Sequence, residues 1–293
     1  MDSTTASSLD LYDKTCDAAA ARVIAAYSSS FSLATRVLSA PMRRDIRNLY
    51  AMVRIADEIV DGAAAEANQD VRALIDAYEK AVLAAPDQHF HTDPVLHAYA
   101  RSARRCGFNP AHIRAFFASM RRDTAQSTYD EAEFADYVYG SAEVIGLLCL
   151  SVFLSHHPVP HNQRPELEAG ARALGSAFQK INFLRDMAED NGELGRTYFP
   201  QLGDAPLNDT AKAEIVANIR LELDHARRVI PLLPGSARLG VAAAEALFRE
   251  LTDRVDETPA GVLLRQRVSI PTHTKLVVTA RAIRNARKGA PRE

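Results

Sequence analysis

The sequence predicts an all-α protein whose two acid-bearing helices face an enclosed space. Three observations lead there. Alanine, leucine and arginine, all strong helix formers, fill the stretches between only 13 glycines and 14 prolines in 293 residues. Alternating β-branched runs, the mark of strands, are hard to find. Finally, two helical segments each carry an acidic stripe while staying apolar on their other sides, so the acids face an enclosed space rather than bulk water.

The elements follow in order. The first helix is expected over residues 10–27. Ser39 followed by Pro41 starts a helix that Gly62 stops, which gives 41–62. A segment over 67–84 follows. Cys106-Gly107 ends the helix at 94–106, and Asn109-Pro110 opens the one at 110–124. The remaining segments are 131–154, 164–190, 208–231, 236–256 and 259–287. The connection at 198–208 is long and rich in Pro, Gly and Asp, and reads as a flap. No flexible linker or repeat interrupts the chain, so residues 1–293 read as one domain with a core over about 22–283. The tail RAIRNARKGAPRE is basic, as suits a helix C-terminus.

Composition narrows the function. Lys and Arg total 35 against 37 Asp and Glu, a balance that argues against a nucleic-acid binder. Cys16, Cys106 and Cys149 are far apart and form no C-x-x-C pair, so neither a disulfide framework nor a zinc site is expected. The longest nearly apolar stretch, 144–154, is too short to span a bilayer, and the polar N-terminus does not read as a secretory signal. The expectation is a cytoplasmic protein. His89, His91, His156, His157 and His161 read as solvated loop histidines, and Cys149 as a core residue.

In the segment 41–62, Tyr50, Arg54, Asp57 and Asp61 fall within about 60° of one another at about 100° per residue, with Glu58 at the edge. In 164–190, Gln179, Asn182, Asp186 and Asp190 form a second stripe about 80° wide, with Glu189 and Arg185 beside it. Either stripe alone reads as a solvated helix end. Both crowd acids into a C-terminal turn, where cations are preferred, and each has an arginine alongside. Amide and carboxylate oxygens without His or Cys suit a hard divalent ion such as Mg²⁺. A di-iron bundle would want two Glu-x-x-His motifs; the chain has one, at Glu222 and His225. Mg²⁺ held this way completes its shell with phosphate oxygens, and Arg54, Arg185, Arg196, Arg267 and Lys275 are the candidates for the rest. Neither G-x-x-x-x-G-K-[ST] nor G-x-G-x-x-G occurs. The implied ligand has an apolar tail and a diphosphate head.

These motifs resemble those of the squalene/phytoene synthase family of head-to-head prenyl transferases, most closely the bacterial phytoene synthases. They are SSSF at 28–31, DEIVD at 57–61 preceded by Tyr50 and Arg54, and Q-x-x-N-x-x-R-D-x-x-E-D at 179–190. The flap element G-R-x-Y-F-P follows at 195–200, and Asp123, YVYGSAEVIG at 137–146, and RVS at 267–269 with Lys275 complete the set. The resemblance implies an isoprenoid-synthase-type bundle. It implies that Asp57, Asp61, Asp186 and Asp190, with Glu58 and Asn182, hold Mg²⁺ (or Mn²⁺), and that Arg54, Arg185 and Tyr50 serve the reaction. Ser28, Ser29, Ser30, Phe31, Gln179, Asn182, Arg196, Tyr198, Arg267 and Lys275 would bind substrate. The implied reaction joins two geranylgeranyl diphosphates into phytoene through a cyclopropylcarbinyl diphosphate. A squalene, dehydrosqualene or hydroxysqualene synthase acting on farnesyl diphosphate is the alternative, and NADPH would be needed only for squalene. A non-catalytic lipid-binding or assembly relative would show broken acidic motifs; both are intact. Loose association with the inner face of the membrane is expected, with no obligate protein partner. Phe248, Tyr27 and Ser29 depart from the family pattern.

Overall fold

Side-chain caps fix seven of the helix starts among the described residues. The computed structural model describes residues 7–124, 126, 128–189, 198–203 and 205–288. Ser7 and Asp10 form a reciprocal cap that opens α1 (Ser8–Tyr27). The Ser28 side chain accepts from the Phe31 backbone and opens α2 (Ser29–Thr35). Pro41 sits in the first turn of α3 (Ala40–Asp61). After the short α4 (Ala63–Glu66), Asp70, Asp93 and Asn109 cap α5 (Val71–Ala84), α6 (Pro94–Cys106) and α7 (Pro110–Asp123). Helix α8 (Glu131–Val138) passes through a π-helical turn, Tyr139–Glu143, into α9 (Val144–His156). Then come α10 (Arg164–Glu189), α11 (Asp209–Val229), α12 (Gly235–Glu257), α13 (Ala260–Leu263) and α14 (Thr272–Lys288). The expected all-α class is what the described residues adopt.

Three expectations are corrected. The serine-rich stretch at 28–31 opens a helix, α2, which the sequence reading left out. The segment expected as one helix over 259–287 is two, because Pro271 disfavours helical geometry in Ile270 and cannot donate to the preceding turn. His156 is not a solvated loop residue. Helix α9 runs to its position, and its Nε2 lies 2.8 Å from Asp45 Oδ2.

Helix α10 packs against α9, α11 and α12, and α12 packs in turn on α14. Two close contacts between the α8–α9 unit and α10 require glycine, at Gly146 of the YVYGSAEVIG element and at Gly175 on α10. A Cβ at Gly146 would lie 2.3 Å from the Ala171 carbonyl oxygen, and one at Gly175 2.5 Å from that of Ala142. The backbones touch there, and only glycine fits. Residues Glu131–His156 are together long and apolar enough to cross a membrane by length and composition. The 11-residue stretch noted in the sequence understates this helix. Its Val144, Leu148 and Val152 are nonetheless fully buried in the protein core, as in an internal helix.

Away from the cavity, α1, α3, α6 and α9 enclose a polar network. Asp45, wholly buried on α3, accepts from Ser102 Oγ at 2.7 Å and Arg105 Nε at 3.1 Å, besides His156. Asn48 donates to Asp17 at 2.9 Å and to Ser102 at 3.1 Å. Burial pushes the Asp45 carboxyl up, but the hydrogen bonds from Arg105, His156 and Ser102 outweigh it and hold it below the usual value.

Candidate active site

Helices α2, α3, α9, α10, α11 and α12 wall a cavity of about 870 Å³. Helical spacing puts one face of each helix on it. On α10 the lining residues include Leu167, Gly170, Leu174, Phe178, Asn182 and Asp186, an i, i+3, i+4 pattern. Leu167 and Asp186 lie at opposite ends of this row, about 28 Å apart at ~1.5 Å per residue. The cavity therefore has a polar mouth and an apolar floor. The mouth holds Asp57, Asp61 and Asp186. The floor holds Leu38, Phe153, Leu167 and Leu233, all buried.

Both acidic stripes reach the mouth. Asp57 lies deep in the protein yet keeps 31% of its side chain open to the cavity. Burial pushes its carboxyl up to about 7; Arg54, with a nitrogen 3.7 Å away, pulls the other way, while Asp61 and Glu58 add to the rise. Arg54 also pairs with Glu58 and lies over the Tyr27 ring at 4.2 Å. Burial raises the Tyr50 phenol too, against the pull of Arg54. Across the mouth, Asp186 is gripped by Arg185 Nε at 2.8 Å and by Arg267 Nε at 2.8 Å. Lys275, at the start of α14, donates to Ser29 Oγ at 2.8 Å and so closes the rim between α14 and α2.

Of the residues singled out in the sequence, Ser28, Ser29, Ser30, Phe31, Tyr50, Arg54, Asp57 and Asp61 line this one cavity. So do Gln179, Asn182, Arg185, Asp186, Tyr198, Arg267 and Lys275. Glu58 lies beside the wall rather than on it, held by Arg54. Asp190 and Arg196 lie outside the described residues, as does the Glu189 side chain. Phe248 stacks on Phe178 at 3.6 Å between ring centres and lies 5.9 Å from Phe31, so the aromatic in this place packs the wall. Cys149 lines the cavity, and burial pushes its thiol up to about 12, which leaves it an inert apolar group.

One polar pair on the cavity wall emerges only from the fold. The Tyr137 hydroxyl donates to Asp123 Oδ1 at 2.7 Å, and both residues line the cavity. Tyr137, Tyr198 and Phe183 stack around them, with Phe183 and Tyr198 centres 3.9 Å apart. The signal was present, since both residues belong to quoted motifs, but their partnership across 14 positions is invisible before folding.

The donors fit a hard cation. Asn182 Oδ1 is buried and finds no hydrogen-bond donor among the described residues, and the Asp57 carboxyl is underneutralised where it stands. Among the described residues no three acid, His or Cys side chains converge into a closed cage. Such a cation would draw the rest of its shell from a ligand.

The squalene/phytoene synthase family profile matches residues 24–204, more than half of the chain. The chain belongs to that family. Among curated relatives it is 30% identical to the 15-cis-phytoene synthase of Synechococcus elongatus over 278 residues, covering 87% of this chain and 88% of that one. It is 27% identical to the phytoene synthase of Arthrospira platensis over 281 residues, with the same coverage. The phytoene synthase of Mycobacterium tuberculosis is 28% identical over 87% of this chain and 86% of its own. Among solved structures, a dehydrosqualene synthase superposes with a TM-score of 0.80 at 19% identity, over 96% of this chain and 99% of that one. The squalene synthase HpnC from Alicyclobacillus acidocaldarius gives 0.71 at 22% identity, over 85% and 94%. The fold of this family member is thus the all-α isoprenoid-synthase bundle.

Proposed function

We propose that the protein condenses two geranylgeranyl diphosphates head to head into phytoene, through a cyclopropylcarbinyl diphosphate. The observation that carries this reading is the pairing of two acid-bearing helix ends, each with an arginine, at the mouth of a long apolar cavity. The relatives named phytoene synthase support the 20-carbon substrate. The fold neighbours named dehydrosqualene and squalene synthase keep a second reading open, with farnesyl diphosphate.

Asp57, Asp61, Asn182 and Asp186 would hold Mg²⁺, with Asp190 as the expected further ligand. When bound, the ion offsets the negative charge of the leaving diphosphates. Arg54, Arg185, Arg267 and Lys275 turn from their present partners to diphosphate oxygens, where a guanidinium makes two parallel hydrogen bonds. Cleavage of the first C–O bond leaves an allylic cation and sends the electron pair out with the diphosphate. The double bond of the second substrate attacks that cation, and loss of a proton closes the cyclopropane. The second diphosphate then leaves, the skeleton rearranges, and a second proton is lost. In all, two diphosphates and two protons depart and no reductant is consumed; squalene would instead need one hydride in place of the second proton loss. Phe31, Phe178 and Phe248 keep water from the cations. Because substrate and product are so apolar, the enzyme works against a bilayer surface, which co-sedimentation with liposomes checks.

The test of the reaction is incubation of the purified protein with each diphosphate, with Mg²⁺ or EDTA and with or without NADPH, followed by mass spectrometry of the extracted hydrocarbon. A Mg²⁺-dependent 40-carbon product without NADPH supports the first reading. A 30-carbon product from farnesyl diphosphate alone supports the second.

A further inference from the structure

The floor of the cavity, far from the acids, contains a contact that chemistry at the mouth does not require. Gly240 on α12 and Leu38, just after α2, both line it. A Cβ at Gly240 would sit 2.6 Å from Leu38 Cδ2 and 3.2 Å from Leu38 Cγ. The leucine thus rests directly on the bare backbone of the helix. The place is fixed from both sides. Ser39 N donates to Ser236 Oγ at 2.9 Å, one turn before Gly240, so the chain around Leu38 is tied to α12. A methyl group at position 240 evicts the end of a flexible side chain, not a backbone atom. Leu38 is 7% exposed, belongs to the buried core and lines the cavity, so a displaced side chain has the cavity to move into. The other floor glycine differs. A Cβ at Gly170 would meet Val229 Cβ at 2.9 Å, an atom fixed to the α11 backbone, so a methyl there parts two helices instead.

We propose that Leu38, seated on Gly240, sets the depth of the cavity and is a specificity-determining residue for prenyl-chain length. This rests on the prenyl diphosphate reading of the mouth. With glycine at 240 the leucine lies back against α12 and the last isoprene unit of a 20-carbon tail has room. With a larger residue it swings into the floor and a 15-carbon tail is favoured. The proposal concerns length alone, since the diphosphates sit about 16 Å or more away along α3, counted at ~1.5 Å per residue to Asp57 from Ile46, which lines the cavity and shares the core cluster of Leu38.

The experiment compares Gly240→Ala, Leu38→Ala and the double variant with the wild-type enzyme. Two readouts are taken with 20- and 15-carbon chains: kcat/KM with the diphosphates and Mg²⁺, and Kd by calorimetry with their unreactive thiolodiphosphate analogues. A one-methyl encroachment on an apolar pocket shifts selectivity by about 10- to 200-fold. Gly240→Ala is therefore expected to lower the 20-over-15 preference at least about tenfold in both readouts. Adding Leu38→Ala should restore it, and Leu38→Ala alone should hold or raise it. An unchanged preference in Gly240→Ala overturns the proposal, as does a double variant that stays as selective for short chains as the single one. Should the wild-type enzyme form no hydrocarbon, the proposed reaction falls, while the Kd ratio still judges the floor.

Discussion

Helix α3 carries two carboxylates twelve positions apart that have opposite fates. Asp45 is wholly buried and fully served, with Ser102, Arg105 and His156 on its oxygens, and its carboxyl is held below the ordinary value. Asp57 keeps a face on the cavity, has one arginine nitrogen at 3.7 Å, and is pushed up to about 7. The same residue type on the same helix is a structural member at one end and an underneutralised site at the other. What separates them is the supply of donors, not burial. A carboxylate completed by the protein stabilises the fold. One left incomplete stabilises whatever cation or ligand completes it, at a cost to the empty protein.

The sharpest way to break this contrast is to remove each acid. Asp57→Ala or Asp186→Ala should reduce hydrocarbon synthesis at least about 10³-fold, by loss of charge stabilisation at the leaving groups, while the helical circular dichroism persists. Near-wild-type turnover in either variant would refute the metal assignment.

Asp45→Asn should do the reverse. It leaves Arg105 without its buried counter-charge and costs about 2–4 kcal/mol of stability, read by denaturant unfolding. The kcat/KM of the folded enzyme should stay at the wild-type level. A large catalytic loss without destabilisation would erase the distinction.

A somewhat smaller effect sharpens the scaffold side. Gly146→Ala drives a Cβ into the Ala171 carbonyl and should cost about 1–3 kcal/mol through separation of α9 from α10. A stability equal to wild type would show that the two backbones do not touch.

The smallest effect is on pH dependence. The folded pKa of Asp45 lies below its unfolded value of about 3.9. Its contribution is complete above that value and is lost as the pH falls through the folded pKa. Acid unfolding of Asp45→Asn below about pH 4 should therefore show a shallower loss of stability with pH than wild type. Parallel curves would mean that Asp45 titrates alike in both states.

Much of this was legible in the sequence, because helical periodicity is local. The stripes Tyr50–Arg54–Asp57–Asp61 and Gln179–Asn182–Asp186–Asp190 can be drawn from spacing alone; all of them line the cavity except Asp190, which lies outside the described residues. What escaped depends on partners far along the chain. The Asp45–His156 contact joins residues 111 positions apart, and Tyr137–Asp123 is a pair only once α7 and α8 are packed. Gly240 lies inside the helix expected over 236–256 with nothing to mark it, and its contact with Leu38 exists only in three dimensions. Local signals misled where they conflicted. Three serines hid α2, whose start rests on one hydrogen bond from the Phe31 backbone to Ser28, and Ala- and Arg-rich composition carried the last helix through Pro271.

The acids at the cavity mouth are proposed to serve head-to-head prenyl condensation. The most direct test is the hydrocarbon formed by purified wild-type protein from geranylgeranyl diphosphate, with Mg²⁺ against EDTA and no NADPH. Phytoene is expected with Mg²⁺ and none with EDTA. A well-folded protein that makes no hydrocarbon from either geranylgeranyl or farnesyl diphosphate would contradict it.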